Sequence, residues 1–153
     1  INNHNIDTVS NVLDDIIYEC ISIKSDVVSA DEFDKGERMI LNFGHTLGHA
    51  VESYYNYEKY SHGSAVAIGM ALITKQAVAS YLCEKIYLEK LIECIEKYRL
   101  PVKCSASLNE LVPLCYNDKK RESDKINIIL CSKIGACEIK QLTIENFNLF
   151  MEV

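Results

Sequence analysis

No stretch of this sequence is apolar for long enough to cross a membrane. A spanning helix needs roughly 18 apolar residues in a row, whereas the most apolar run, Ala65 to Ile73, has half that length and is rich in small side chains. The amino end, INNHNIDTV, is polar throughout, with no secretory signal. A CxxC pair is missing as well. The seven cysteines, Cys20, Cys83, Cys94, Cys104, Cys115, Cys131 and Cys137, are odd in number and widely spaced. That argues against a disulfide scaffold or a cysteine zinc knuckle, and the expectation is buried free thiols in a reducing cytoplasm. Positive charge is scarce: 16 Lys and Arg stand against 22 Asp and Glu, a net charge of −6. A general nucleic-acid binder needs a basic face and is excluded on that ground, although a local basic pocket is not. No repeat, linker or low-complexity tract interrupts the chain. It also opens on Ile1 rather than Met, which reads as a piece of a longer parent.

What is present suits one compact domain. The 153 residues are 48% apolar and 25% charged, enough for a real hydrophobic core. Val9, Val12, Leu13, Ile16, Ile17 and Cys20 recur at helical spacing and predict an amphipathic helix over Ile6 to Ile23. A second helix is expected over Glu37 to Tyr54, a third from just after His62 to about Cys83, and a fourth over Leu88 to Tyr98, stopped by Pro101. Ser107 reads as the N-cap of a short helix towards Cys115. The convincing strands come late: Ile126 to Cys131 and Ala136 to Gln141 flank Ser132-Lys133-Ile134-Gly135, a hairpin signal, and Thr143 starts a last helical turn or two. The fold class is mainly α with one small β-hairpin.

The second predicted helix carries the chemistry. Arg38, Asn42, His45 and His49 are spaced 4, 3 and 4. On a continuous helix these side chains fall within an arc of about 60°. Met39, Ile40, Leu41, Phe43, Leu47, Ala50 and Val51 cover most of the rest, with Gly44 and Gly48 among them. A helix that is apolar nearly all round is buried, so its polar stripe must face a cleft, a ligand or buried partners. Burying an arginine and two histidines unpartnered would cost several kcal/mol. One buried histidine is ordinarily a satisfied core residue, but four polar groups on one line favour a site. His45 and His49 can serve as two metal ligands, or as one ligand and one acid/base.

His62 precedes a small-residue segment, Gly63 to Ala71, suited to close helix packing. It either caps the next helix or folds back over the stripe as another nitrogen ligand. A catalytic zinc takes three protein ligands and an open position. No carboxylate is clearly placed as the third, Glu52 lying a turn away. Lys24 near the end of the first helix and Asp118-Lys119-Lys120-Arg121 before the hairpin are basic groups that surface solvation would ordinarily explain. Arg38 and Asn42 nevertheless point to an oxyanion, since a guanidinium fork suits phosphate or carboxylate.

The string Arg38-Met-Ile-Leu-Asn42-Phe-Gly-His45-Thr-Leu-Gly-His49-Ala-Val-Glu52, followed by His62-Gly-Ser-Ala-Val-Ala-Ile-Gly-Met70, closely resembles the signature of 3-dehydroquinate synthases. Lys24 upstream of Asp31-Glu32 and Gly36, and Asp118-Lys119-Lys120 before an Ile-rich hairpin, extend the resemblance over nearly the whole chain. It implies that residues 1–153 are the helical C-terminal domain, and that an N-terminal Rossmann-type domain binding NAD is absent from the chain. It implies His45 and His62 as ligands of zinc, or of another divalent metal such as cobalt. Lys24, Arg38 and Asn42 would hold the substrate's phosphate and carboxylate, with His49 near the phosphate and Lys119, Lys120 or both reaching the substrate. Lys24, Arg38, Asn42 and His49 are thereby the expected catalytic groups. The family's third zinc ligand is a glutamate upstream of this region, and its usual His-Gly-Glu is here His62-Gly63-Ser64, which removes a carboxylate partner for the metal ligands.

The activity this resemblance implies is conversion of 3-deoxy-D-arabino-heptulosonate 7-phosphate to 3-dehydroquinate and phosphate, in the shikimate pathway leading to aromatic amino acids. The expected partners are that phosphorylated sugar acid and the N-terminal domain of the same parent. A homodimer is common in the family, and no nucleic acid or membrane is expected. The isolated piece is expected to be inactive. Rival readings are another sugar-phosphate cyclase of the 2-deoxy-scyllo-inosose synthase type, a metal-dependent polyol dehydrogenase, or a non-catalytic helical domain that binds a metal or a protein.

Overall fold

The computed structural model describes residues 3–32, 36–116 and 124–152. Lys119 and Lys120 lie outside the described residues. A short 3-10 turn (Val9–Val12) leads into helix α1 (Leu13–Ala30), and a second 3-10 segment (Glu37–Asn42) precedes α2 (His45–Tyr54). Then come α3 (His62–Ala79), α4 (Lys85–Lys97) and the short α5 (Leu108–Leu111), which tightens into a 3-10 turn over Val112–Cys115. Strands β1 (Lys125–Lys133) and β2 (Ala136–Thr143) form a two-stranded antiparallel hairpin, and α6 (Ile144–Glu152) closes the described chain. The fold is mainly α with one late hairpin, as expected. No helix among the described residues is long and apolar enough to cross a membrane.

The expected second helix, Glu37 to Tyr54, is in fact two pieces. Phe43 leaves the 3-10 segment extended (φ −55°, ψ 124°), and Gly44 is left-handed at φ 80° before α2 begins at His45. The cause lies in α3. A Cβ on Gly44 would come within 2.7 Å of the Met70 backbone nitrogen and 2.8 Å of the Val66 carbonyl oxygen. One on Gly69 would meet the Gly44 carbonyl oxygen and lie 2.7 Å from the Gly48 nitrogen. The two helices therefore touch backbone to backbone, and the left-handed turn that permits this is cheap only for glycine. Four polar residues on one helical arc is consequently not the arrangement adopted.

The core forms around this contact. Leu47 and Val51 of α2, Ile68 of α3, Leu111 of α5, Ile126, Ile128 and Leu130 of β1 and Phe147 of α6 are each at most 2% exposed. Alternation along β1 turns Ile126, Ile128 and Leu130 to that core and leaves Asn127 and Ile129 on the opposite side. Cross-strand pairs such as Ile126↔Leu142 and Ile129↔Ile139 set the register, and Gly135 at φ 81° makes the turn.

Two expectations need correction. Helix α1 starts later and runs further than Ile6 to Ile23, and none of its residues is buried. Leu13, Ile17, Tyr18, Ile21 and Ile23 are all exposed, so its apolar spacing marks a face that nothing in the described chain covers. The cysteines are also not all free. Cys131 and Cys137 oppose each other across the hairpin and form a disulfide, because strand pairing brings their Cα atoms to 4.1 Å. Cys20, Cys83, Cys94, Cys104 and Cys115 are free thiols, but only Cys83 and Cys115 are buried as expected; Cys94 and Cys104 are half-buried and Cys20 is exposed.

The predicted N-cap at Ser107 is present as a full capping box. Ser107 N–H and Oγ–H both donate to Glu110 Oε2, at 2.8 and 2.7 Å, while Tyr54 Oη at the end of α2 donates to Glu110 Oε1 at 2.7 Å. The Ser107 bonds first, and the Tyr54 bond after them, hold the Glu110 carboxyl at about 2, down from 4.5. A carboxylate with a depressed folded value stabilises above its unfolded value and loses that contribution on acidification. The box is thus expected to open as pH falls from 4.5 through about 2. In Ser107→Ala, a carboxyl-carbon NMR titration should return Glu110 towards 4.5.

A second prediction concerns the helix contact. Gly69→Ala should cost about 3 kcal/mol and lower the thermal midpoint by roughly 6–12 °C, as overpacking against backbone does. A Cβ on Gly63 meets nothing within 4 Å, so Gly63→Ala should stay within about 1 kcal/mol of the parent. Equal melting of the two variants would show that the contact is not tight.

Candidate functional site

The close approach of α2 and α3 has a direct consequence for the histidines. His45 and His49 lie at the first and fifth positions of α2, and His62 is the first residue of α3. Their ring centroids form a triangle with sides of 5.7 Å (His45–His49), 5.3 Å (His45–His62) and 5.5 Å (His49–His62). The break at Gly44 does not scatter them. Of the two readings left open for His62, cap or fold-back, both its neighbours speak for the second. The N-cap of α3 is Ser61, whose Oγ accepts from the Ser64 backbone N–H at 3.3 Å.

Each ring is held through the same nitrogen. His45 Nδ1 lies 3.4 Å from the Phe43 carbonyl oxygen. His49 Nδ1 lies 2.8 Å from Glu52 Oε2, and His62 Nδ1 lies 3.1 Å from Glu52 Oε1. Glu52 is only 8% exposed and is the one buried carboxylate among the described residues. Burial pushes its carboxyl up, but the hydrogen bonds from His49 and His62 and their charge outweigh this, and it sits below the ordinary carboxylate value. The sequence reading set Glu52 aside as a turn too far along; in the structure it is the hinge of the cluster. The signal was available in its i+3 spacing from His49, which places both on one helix face.

Beside the imidazoles, Met39, Asn42, His45, Thr46, His49, Asn127 and Ile129 line a cleft of about 280 Å³. Asn42 thus accompanies the histidines although it belongs to a different segment. Asn127 comes from β1 and was missed in the sequence, because its place is set by a strand almost eighty residues further on. Arg38 is not among the lining residues: its Nη1 donates to the Glu32 carbonyl at 3.1 Å, and its backbone N–H to Asp31 Oδ2 at 3.2 Å. Lys24 is exposed on α1 and is not among the residues lining the cleft.

The donor chemistry fits a divalent metal. His49, Glu52 and His62 offer ligand atoms all within 4.8 Å of one another, a group that leaves out the expected ligand His45, whose ring centroid nevertheless stands 5.3 Å from that of His62. With every Nδ1 engaged, the Nε2 atoms are the nitrogens left over for a ligand, and imidazole suits zinc and similar ions.

Comparison with known proteins gives the family. The family model "3-dehydroquinate synthase C-terminal" matches residues 2–121. The chain belongs to that family. It is 43% identical over 146 residues to the 3-dehydroquinate synthase of Clostridium kluyveri, covering 95% of this chain and 41% of the relative. It is 47% identical over 135 residues to that of Clostridium perfringens, covering 88% and 39%. The chain therefore spans about two fifths of the length of these relatives. Among solved structures, a 2-deoxy-scyllo-inosose synthase complexed with carbaglucose-6-phosphate, NAD+ and Co2+ superposes with a TM-score of 0.78 at 23% identity, over 98% of this chain and 44% of that one. A 2-epi-5-epi-valiolone synthase from Streptomyces hygroscopicus subsp. jinggangensis, with NAD+ and Zn2+ bound, superposes at 0.66 and 20% identity, over 83% and 36%. At those identities the likeness is one of fold.

Residue 64, where the resemblance implies a glutamate, is a serine in the first turn of α3. Ser64 is three residues after the N-cap Ser61, and its Oγ accepts from Ser61 Oγ–H at 2.9 Å. The carboxylate that contacts the histidines is Glu52, so serine at 64 does not strip His62 of an acidic partner. A glutamate at this position would instead complete an S-x-x-E capping box on α3. Ser64→Glu is expected to stabilise the chain by about 0.5–1 kcal/mol, read as a raised midpoint in thermal denaturation. An unchanged or lowered midpoint would show that residue 64 does not act on the helix end.

Proposed function

We propose that this chain is the metal- and phosphate-binding part of an enzyme that converts 3-deoxy-D-arabino-heptulosonate 7-phosphate to 3-dehydroquinate and phosphate, in the shikimate pathway. The observation that carries the reading is the triangle of His45, His49 and His62, with each Nδ1 already engaged and Nε2 left for ligand. Relatives bearing the name 3-dehydroquinate synthase at 43% and 47% identity support it.

In this reading His45 and His62 hold zinc or a similar divalent ion through Nε2, together with a carboxylate from outside the chain. The bound ion supplies Lewis-acid polarisation of the substrate's hydroxyl and ketone oxygens. Asn42, on the cleft wall, donates its amide N–H to a phosphate or carboxylate oxygen, and His49 holds or passes a proton at Nε2 beside the departing phosphate. Arg38 exchanges the Glu32 carbonyl for a substrate oxyanion, a better partner for a guanidinium. Lys24 and Lys119 or Lys120 complete the clamp. Such positioning of several weak groups around one anion lets a single pocket serve successive steps. NAD is assigned to the N-terminal portion of the enzyme, so the chain by itself should release no phosphate.

Zinc titration of the chain and phosphate release by the whole enzyme test the reading together. His45→Ala should weaken zinc binding at least tenfold and abolish turnover of the heptulosonate phosphate. If metal content and rate both survive His45→Ala, the ligand assignment is wrong. Turnover of glucose 6-phosphate in preference to the heptulosonate would move the enzyme to the 2-deoxy-scyllo-inosose synthase class, and net NADH release would make it a polyol dehydrogenase.

A further inference from the structure

We propose that Glu52 is a positioning residue that locks His49 and His62 as a pair, accepting a hydrogen bond from the Nδ1 of each and thereby committing both Nε2 atoms to ligand. The inference rests on the roles proposed above, His62 at the metal and His49 at the phosphate. It adds a residue that couples them.

The case is one of donors and acceptors. An ionised carboxylate only accepts, so each ring facing it must carry its proton on Nδ1. A neutral imidazole with that proton has its lone pair on Nε2. Here the two oxygens are divided, Oε2 to His49 at 2.8 Å and Oε1 to His62 at 3.1 Å. The geometry puts the carboxylate on the inner side and the open edges outward: Glu52 is buried, while the His49 and His62 side chains are 60% and 56% exposed. The two rings stack with 27° between their planes.

Glu52 is itself well anchored. It sits in the last turn of α2, and its carbonyl accepts from the Tyr57 N–H at 2.8 Å, where the chain turns through left-handed Asn56 and Tyr57 (φ 54° and 62°). One buried side chain thus ties α2 to the first residue of α3. An unpartnered carboxylate at that depth would be destabilising, and two imidazole donors offset that. The rival use of the same atoms is Glu52 as a metal ligand in its own right, alongside His49 and His62. That would require both Nδ1 atoms to turn their lone pairs inward, the opposite protonation of the rings.

The two uses are separable by experiment. In the metal-free chain at about pH 8, above the ordinary histidine value, long-range nitrogen–proton NMR should report the Nδ1–H tautomer for His49 and His62. Glu52→Gln keeps the shape but offers one acceptor oxygen and an N–H donor, so one of the two rings should switch to Nε2–H. Zinc titration of that variant should show binding weakened about 10–100-fold, the usual effect of losing such a partner. Glu52→Asp, which retains two acceptor oxygens, should keep both tautomers and recover most of the affinity. It also serves should the amide variant not fold. Either ring found as Nε2–H in the parent, or tautomers unchanged in Glu52→Gln, would overturn the proposal. So would zinc binding abolished in Glu52→Gln and a cobalt spectrum showing a carboxylate ligand. The tautomers are read without metal, so a parent that binds no zinc would sink the functional reading and leave this one standing.

Discussion

The backbone contact between α2 and α3 is the constraint from which the rest of the site descends. Two helices ordinarily sit 8–10 Å apart because side chains fill the space between them. Here Gly44, Gly48 and Gly69 remove those side chains, and a Cβ on Gly48 would already stand 3.0 Å from the Val66 Cα. Only at that separation can residues near the start of both helices share one ligand-sized volume. The left-handed turn at Gly44 follows from the same demand. It ends the 3-10 segment so that α2 can begin against α3, and it places His45 at a helix start, with Nδ1 near the Phe43 carbonyl.

Electrostatics then determines what so close a cluster can hold. Three imidazoles within 5.7 Å of one another would repel if all were charged. A buried carboxylate beside two of them supplies a compensating charge and favours a definite proton arrangement. A divalent ion requires neutral nitrogen donors, and the Nδ1 contacts to Glu52 and to the Phe43 carbonyl leave Nε2 of each ring for that role. The core under it is rigid for ordinary reasons, since Leu47, Val51 and Ile68 are fully enclosed.

Some of this was legible in the residues and some was not. Helical periodicity located α3 and α4 to within a few residues, and the hairpin was signalled by Ser132 to Gly135, because turn chemistry is local. The approach of His62 to His45 and His49 was legible only as one of two readings, the other being a cap on the next helix. The uninterrupted second helix was not correct. An isolated glycine in a helical pattern is normally tolerated, and what breaks the helix at Gly44 is the Met70 and Val66 backbone more than twenty residues away. Glu52 was underrated because a residue one turn along a helix looks distant in one dimension, while its partner His62 comes from the next helix. Asn127 had no local signal at all. The apolar face of α1 could be read from spacing, yet spacing says only that a face exists and not what covers it.

The distribution of order within the proposed site carries a last consequence. The imidazole group is fully assembled inside this chain, each ring held by a carbonyl or a carboxylate of α2 or its immediate flank. Among the described residues the cationic groups are not gathered: Arg38 is turned to Glu32, and Lys24 stands exposed on α1, which has no buried residue. The two sets differ in what holds them. Helix packing fixes the histidines before any ligand arrives, so little ordering remains for the metal to drive, and binding should be correspondingly favourable. A phosphate clamp drawn from separate long side chains gains its order from the anion it meets. Such a division suits a chemistry in which the metal stays while the phosphorylated group must bind, react and depart. A clamp preformed around phosphate would hold the product as firmly as the substrate and slow its departure.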